Sequence, residues 1–151
     1  MRSFNGGPIL RYYLGSPGLA MKWLRPQDKA LLLEVVEPVY EVLQRSIKLL
    51  DPSGKLQIQA LQANSFEHLG ISLPEFSGRG LVLIDPPAEP WTQVLAWSLR
   101  VLQLLHRDWP ESCVIFWYPC LGAQETKSLH LRVQDLKLGD VLVVEMNSRL
   151  T

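Results

Sequence analysis

The chain has 151 residues, and its 15 Lys and Arg residues are balanced by 15 Asp and Glu residues, so its formal net charge at pH 7 is zero. This balance excludes a basic arm or an acidic tail, and it disfavours a general nucleic-acid-binding module, which needs clustered positive charge. With 47% hydrophobic residues and no inter-domain linker, the chain is expected to form a single domain over residues 1–151.

Short apolar runs alternate along the chain with segments of helical period, a pattern typical of an α/β domain with a largely parallel sheet. Most of the apolar runs are continuous, as in strands that are covered on both faces. The predicted strands are Ala30–Val36, Leu56–Leu61, Gly80–Ile84, Cys113–Tyr118 and Val141–Met146.

Three helices are predicted, one before the first strand and two between strands. Ser16-Pro17 resembles an N-cap followed by a proline at the first helical position, and Pro26 should end or kink this helix. The other two are predicted from about Pro38 to Leu50 and from about Trp91 to His106.

Cysteine usage and hydropathy indicate the compartment. Cys113 and Cys120 are too few for a disulfide scaffold and are expected to be buried thiols, which favours a reducing, cytoplasmic setting. No apolar run reaches the ~18–20 residues of a membrane span. The first residues also lack the apolar stretch of a secretory signal, so we expect a protein that is neither inserted in a membrane nor exported.

The segment most suited to binding or catalysis is Asp85-Pro86-Pro87, which follows an apolar strand. Ligands of open α/β sheets bind beyond the carboxyl ends of the strands. Proline has a fixed φ and no N–H, so this loop is stiff and offers carbonyl oxygens beside an acceptor carboxylate. Such a loop can accept both hydrogens of an exocyclic amine, although the same three residues could simply end the strand and cap the next helix.

The sequence around this motif resembles that of a known family. Gly80-Leu-Val-Leu-Ile-Asp-Pro-Pro-Ala-Glu89 is similar to the Asp-Pro-Pro-Tyr-Glu strand end of the bacterial enzymes that use S-adenosylmethionine to methylate adenine N6 in 23S ribosomal RNA. The resemblance spans roughly residues 12–146 and implies a Rossmann-like methyltransferase sheet. Further segments match in the same order, namely Arg11–Pro17, Leu33–Val35, Ala63–Leu69 and Phe116–Pro119.

The resemblance also implies that the sheet is incomplete. The family's first strand and glycine-rich cofactor loop have no counterpart before Tyr12, and its last strand has none after Met146. That first strand lies centrally, between the strands that here end in Glu34 and Asp85. We therefore expect a gap that is closed by direct pairing, by a rearranged strand order or by another chain, with self-association through exposed sheet edges.

For the cofactor, S-adenosylmethionine, the resemblance implies a polar pocket. Glu34 would accept the ribose hydroxyls, and Asn64, where the family has Asp, would accept a hydrogen from the adenine amine. Ser16 would add a polar contact unless it serves only as a helix N-cap. Ser65 stands where the family has Gly, and Asp85 borders both cofactor and substrate.

For the 23S rRNA substrate, the resemblance implies that Asp85 and the Pro86 carbonyl hold the adenine N6 amine and that Pro87, Ala88 and Trp91 contact the base. Ala88 replaces the family's Tyr, on which the flipped adenine stacks. Stacking of a base on an aromatic ring contributes roughly 1–3 kcal/mol, so substrate binding is expected to be ~10–100-fold weaker. Trp91 could replace the lost ring or could anchor its helix in the core.

The histidines and the remaining tryptophans are weaker candidates for a functional site. The three histidines share no spacing that suits a metal site, so no metal is expected. Trp97, Trp109 and Trp117 are predicted to be core residues rather than platforms for bases. Two hypotheses follow: an rRNA adenine-N6 methyltransferase that is impaired in this chain, or a catalytically inactive remnant that acts as an interaction module or has no function.

Overall fold

Helices and parallel strands alternate along the chain, which confirms the α/β class. The computed structural model describes residues 13–73, 76–87, 90–119 and 122–146. These residues form two compact units, one ending at His68 and the other beginning at Leu69, and each is described separately. Within the described ranges the elements are α1 (Ser16–Trp23), β1 (Lys29–Glu34), α2 (Glu37–Leu50), β2 (Gln57–Gln62), α3 (Ser65–Ser72), β3 (Gly80–Ile84), α4 (Trp91–Asp108), β4 (Ser112–Phe116) and α5 (Ala123–Asp135).

In the first unit, β1 and β2 form a parallel pair whose register runs from Lys29 opposite Gln57 to Glu34 opposite Gln62. The connection between parallel strands must cross over, and α2 provides it. The Tyr40 hydroxyl of α2 donates a hydrogen bond of 3.1 Å to the Ala60 carbonyl of β2 and so ties the helix to the sheet.

Asp51 ends α2 and organises the turn that leads into β2. Its carboxylate accepts hydrogen bonds from the backbone N–H of Leu56 (2.8 Å), the N–H of Lys55 (3.2 Å) and the Ser53 hydroxyl (3.1 Å). Gly54 adopts a φ of 61°, which glycine tolerates at no steric cost. The bond from the Leu56 N–H is the main reason why the pKa of the Asp51 carboxyl lies below its ordinary value of 3.8.

Asp51→Ala is expected to reduce the acid sensitivity of folding. A carboxyl with a lowered pKa in the folded state stabilises the protein above its unfolded pKa, here 3.8, and loses this contribution as the pH falls through the lower folded value. Wild type should therefore have the higher Tm near neutral pH, and the two Tm values should converge below pH 3.8. Thermal unfolding followed by circular dichroism across this range would measure the convergence.

Exposed Asp140 offers a control, because Asp140→Ala removes an aspartate outside this turn. That variant should follow the wild-type dependence of Tm on pH. If the curves of wild type and Asp51→Ala instead stay parallel from neutral to acid pH, the turn does not depend on the ionised carboxylate.

In the second unit, β3 and β4 pair in parallel from Gly80 opposite Ser112 to Ile84 opposite Phe116, with α4 as the crossover. One face of α4 is buried and forms most of the core, as its helical period predicts. The buried residues of this face are Val94, Leu95, Ser98, Leu99, Val101, Leu102 and Leu105. Ser98 is tolerated there because its hydroxyl donates to the Val94 carbonyl at 2.9 Å.

Trp109, which follows α4, covers the start of β3. Its indole N–H donates to the Gly78 carbonyl at 2.6 Å, and its ring lies 5.5 Å from that of Phe76. The ring passes directly over Gly80, where an added Cβ would overlap it. Gly80 is therefore needed for the close approach of this side chain to the strand.

Gly80→Ala is expected to destabilise the protein by about 1–3 kcal/mol, because the new methyl group must displace the Trp109 ring. Urea unfolding measured by fluorescence would give the change in free energy. Gly139→Ala is the matched control, since nothing lies within 4 Å of a Cβ at that position. Equal stability of the two variants would mean that Trp109 does not pack on the strand as described.

Several sequence predictions need correction. The first helix has Gly15 rather than Ser16 as its N-cap, because the Gly15 carbonyl already accepts the Leu19 N–H at 3.0 Å. Val141–Met146 forms no strand, since no ladder partner exists for it in the described ranges. Cys113 is exposed on β4 rather than buried, and Cys120 lies outside the described residues.

The described strands pair in two separate sheets of two strands each. In the part of the chain that the structure describes, β1 pairs only with β2 and β3 only with β4. Of the three ways to close the gap, direct pairing of the strands that end in Glu34 and Asp85 is therefore not used among these residues. Each strand keeps one edge whose backbone N–H and C=O groups have no ladder partner there.

Candidate functional site

The carboxyl edge of the β3–β4 sheet carries the Asp-Pro-Pro motif. Asp85 follows the last paired residue of β3 and is exposed, Pro86 is half-buried and Pro87 is exposed. The Trp117 N–H donates to the Ile84 carbonyl at 2.9 Å and continues the ladder by one bond. In a parallel ladder the Trp117 carbonyl would next accept the N–H of residue 86, but proline has none, so pairing stops there.

The end of the ladder leaves Asp85 at the rim of the sheet with its carboxylate open to solvent. Among the described residues, no hydrogen bond or ion pair engages this carboxylate. It can therefore accept hydrogens from a ligand without first breaking a contact to another described residue. The acceptor roles of the Asp85 carboxylate and the Pro86 carbonyl stay predictions from the sequence.

The substrate positions beyond this motif are less well defined. Trp91 is the first residue of α4 and is half-buried, which fits either of its predicted roles. Ala88 lies outside the described residues. The structure therefore supplies no contact for the position where the family has its stacking Tyr.

The carboxyl edge of the β1–β2 sheet carries the residues predicted to bind the cofactor. Glu34 is half-buried and accepts the Val36 N–H at 2.8 Å through Oε1. The Ala63 N–H donates to the Glu34 carbonyl at 3.0 Å and extends this ladder past the last paired residues. Glu34 and Ala63-Asn64 therefore lie at the same rim of one sheet.

Asn64 has a structural role that the sequence prediction did not include. Its Oδ1 accepts the Phe66 N–H at 3.0 Å, and its Nδ2 donates to Glu67 at 3.2 Å, so it caps the start of α3. Ser65 is the first residue of that helix and is exposed. Ser16 is likewise exposed at the first position of α1. The predicted residues thus fall on two sheet edges, Asp85 and Pro86 in one unit and Glu34, Asn64 and Ser65 in the other.

A polar cluster that the sequence did not reveal follows β4. The Tyr118 hydroxyl donates to Glu145 Oε1 at 3.2 Å and lies 2.9 Å from His130 Nε2, which is 3.3 Å from the same carboxylate oxygen. The donor and acceptor roles of the hydroxyl and Nε2 depend on the histidine tautomer. These residues are 12 and 27 positions apart, and no local spacing could have indicated their contact.

The described residues contain no group of His, Cys, Asp and Glu side chains that could hold a metal ion. None of the helices in the described ranges is long and apolar enough to cross a membrane.

Comparison with known proteins decides the family. The model of a family described as "Ribosomal RNA large subunit methyltransferase D, RlmJ" matches residues 1–150. The chain belongs to this family. This assignment agrees with the resemblance that the Asp-Pro-Pro segment indicates. The matched residues include both sheet edges described above.

Curated members of the RlmJ family support this assignment. The chain is 31% identical over 144 residues to ribosomal RNA large subunit methyltransferase J of Haemophilus influenzae, covering 95% of this chain and 49% of that protein. It is 30% identical over 146 residues to the protein of the same name from Escherichia coli, covering 97% and 50%. The chain thus spans about half the length of the curated relatives it matches.

A solved structure shows the same fold. A crystal structure of a Legionella pneumophila protein superimposes with a TM-score of 0.77 at 23% sequence identity. The superposition covers 89% of this chain and 48% of that protein. The similarity confirms the α/β fold with parallel strand pairs, and it again corresponds to about half of a longer chain.

Proposed function

We propose that the chain takes part in S-adenosylmethionine-dependent N6-methylation of an adenine in 23S rRNA, and that it carries the residues that hold the adenine amine. The observation that supports this most is the solvent-open carboxylate of Asp85, followed by Pro86 at the end of a parallel strand pair. Membership of the RlmJ family supports the reaction class. With such a substrate, the protein would act in the bacterial cytoplasm.

In this mechanism the Asp-Pro-Pro loop positions the amine. One carboxylate oxygen of Asp85 accepts one N6 hydrogen and the Pro86 carbonyl accepts the other. Both acceptors draw the nitrogen lone pair out of conjugation with the ring, so that it can attack an electrophilic methyl group. The proton that is released after transfer passes to Asp85 or to solvent.

The residues at the β1–β2 edge fit the polar groups of S-adenosylmethionine, which when bound supplies the sulfonium methyl group. Glu34 Oε1 and Asn64 Oδ1 each accept one backbone N–H. Each oxygen retains a second lone pair, and Glu34 also has Oε2. These atoms suit the ribose hydroxyls and the adenine amine, and Ser16 and Ser65 are the further polar residues predicted for the cofactor.

Two measurements test this proposal. Isothermal titration with S-adenosylmethionine should give heat at or below about 1 mM cofactor, and the chain should transfer labelled methyl groups to unmodified 23S rRNA. Absence of heat would reject cofactor binding by this chain. Binding without transfer would leave a cofactor-binding module and reject the enzymatic proposal.

An interaction module is the second candidate, and an exposed apolar face of the β3–β4 sheet favours it. Leu81, Leu83 and Ile115 on this face are 65%, 46% and 48% exposed. Parallel sheets are ordinarily covered on both faces, so such a surface fits a site for another polypeptide or a second copy. Analytical ultracentrifugation would detect self-association, and a monomer at high concentration would count against the second copy.

A further inference from the structure

Trp117 is 56% exposed, although the sequence predicts it to be a core residue. It follows β4 directly, at the carboxyl edge where ligands of parallel sheets bind. In the described ranges, the ring contacts of this region join Phe116 to Tyr118 and Tyr118 to His130, and none involves Trp117. The indole therefore presents a large apolar surface to solvent beside the candidate site.

The strand register places Trp117 next to Asp85. Ile84 is paired with Phe116, and the Trp117 N–H donates to the Ile84 carbonyl, so the same register continued by one residue sets Asp85 opposite Trp117. Paired residues of neighbouring strands lie about 4.8 Å apart and direct their side chains to the same face. Both side chains here are exposed, whereas Ile84 on the preceding position is buried.

The backbone that carries Trp117 is held on both sides. Before it, the Phe116 ring packs 5.9 Å from the Tyr118 ring. After it, Tyr118 is bound to His130 and to Glu145 through its hydroxyl. Because this backbone is held, less of it has to be ordered when a flat ligand binds to the indole.

We propose that the Trp117 indole is the surface on which the purine base of the RNA substrate stacks while Asp85 accepts its amine. This inference rests on the function proposed above. Ala88, in place of the family's Tyr, has no ring for this purpose, and an indole one inter-strand spacing from Asp85 supplies one. The adjoining side chains of Leu83 and Ile115 extend the apolar surface below the base.

The test separates stacking from mere apolar packing. The probe is a short single-stranded RNA that contains one 2-aminopurine, a fluorescent purine whose emission is quenched when it stacks on an aromatic ring. Trp117→Phe should keep the affinity and the quenching within a few-fold. Trp117→Leu preserves an apolar surface without a π-face, and we expect its affinity to fall roughly 10- to 100-fold with loss of quenching.

Trp23→Leu is the matched control, because Trp23 is 85% exposed on α1 in the other unit. It should bind the probe as wild type does. Equal affinity and quenching in Trp117→Leu and wild type would overturn the proposal, as would absence of probe binding by wild type at about 1 mM. If Trp117→Leu and Trp117→Phe both alter only the sedimentation of the protein, Trp117 serves a protein interface and the stacking role is also rejected.

The outcome for Trp117 is independent of the outcome for the proposed function. The 2-aminopurine probe lacks an amine at position 6, and its quenching requires neither cofactor nor methyl transfer. Quenching that depends on Trp117 in a chain without methyl transfer would reject the enzymatic proposal and retain the stacking site. Methyl transfer with an unchanged KM in Trp117→Leu would reject the stacking site and retain the enzymatic proposal.

Discussion

Asp85→Ala is expected to lower the rate of methyl transfer to unmodified 23S rRNA by about 10²–10⁴-fold, the range for removal of a positioned proton acceptor. Asp85 is the exposed carboxylate at the end of β3, and without it only the Pro86 carbonyl accepts a hydrogen from the amine. Asp85→Asn should be impaired less than Asp85→Ala, because its amide oxygen still accepts an N6 hydrogen although it cannot take up the proton. Single-turnover transfer of a labelled methyl group would measure both rates.

The folded state should be unaffected by these substitutions, since the Asp85 side chain is exposed and has no partner among the described residues. Equal Tm values for wild type and both variants would establish this. Asp140→Ala, which removes another exposed aspartate, should retain the wild-type rate. A rate in Asp85→Ala within a few-fold of wild type would contradict the assigned role of the motif.

The largest effect on stability is expected for Leu105→Ala. Leu105 has no exposed surface and lies near the end of the buried face of α4. Removal of its branched side chain forfeits the transfer free energy of the lost atoms and leaves a cavity, which together destabilise by about 2–5 kcal/mol. Because domains are ordinarily stable by only 5–15 kcal/mol, a substantial fraction of the total is lost. Equilibrium unfolding in urea would measure it.

Leu49→Ala provides the matched control for this substitution. Leu49 also lies on a helix, α2, but is 80% exposed. The same change there should alter the free energy of unfolding by no more than about 0.5 kcal/mol. A loss of similar size at both positions would mean that Leu105 does not belong to the core.

Those elements whose signals are local could be predicted from the sequence. Gly80–Ile84 is a continuous apolar run after a glycine, and its observed bounds equal the predicted ones. The helix from Trp91 has an apolar face of helical period and extends two residues beyond the predicted end at His106. The helices Ser65–Ser72 and Ala123–Asp135 were missed, the second because its mean hydropathy is low and its apolar positions are few.

The errors at the candidate site have a common cause. Trp117 was assigned to the core by residue type, but its exposure depends on what lies over the sheet face. Val141–Met146 was assigned to a strand by residue type, but a strand needs a neighbouring backbone to pair with. The cofactor role of Asn64 stays a prediction, and the hydrogen bond that its side chain accepts at the start of α3 depends on where that helix begins.

The zero net charge, the α/β alternation and the Asp85-Pro86-Pro87 motif were determined by the sequence alone, because each depends on residue identity and local order. The collinear motifs also determined the family. Only the tertiary structure decided that the Trp117 N–H donates to the Ile84 carbonyl beside Asp85 and that Tyr118, His130 and Glu145 meet beyond β4. Contacts of this kind depend on strand register and crossover packing, which bring together residues that are distant in the chain.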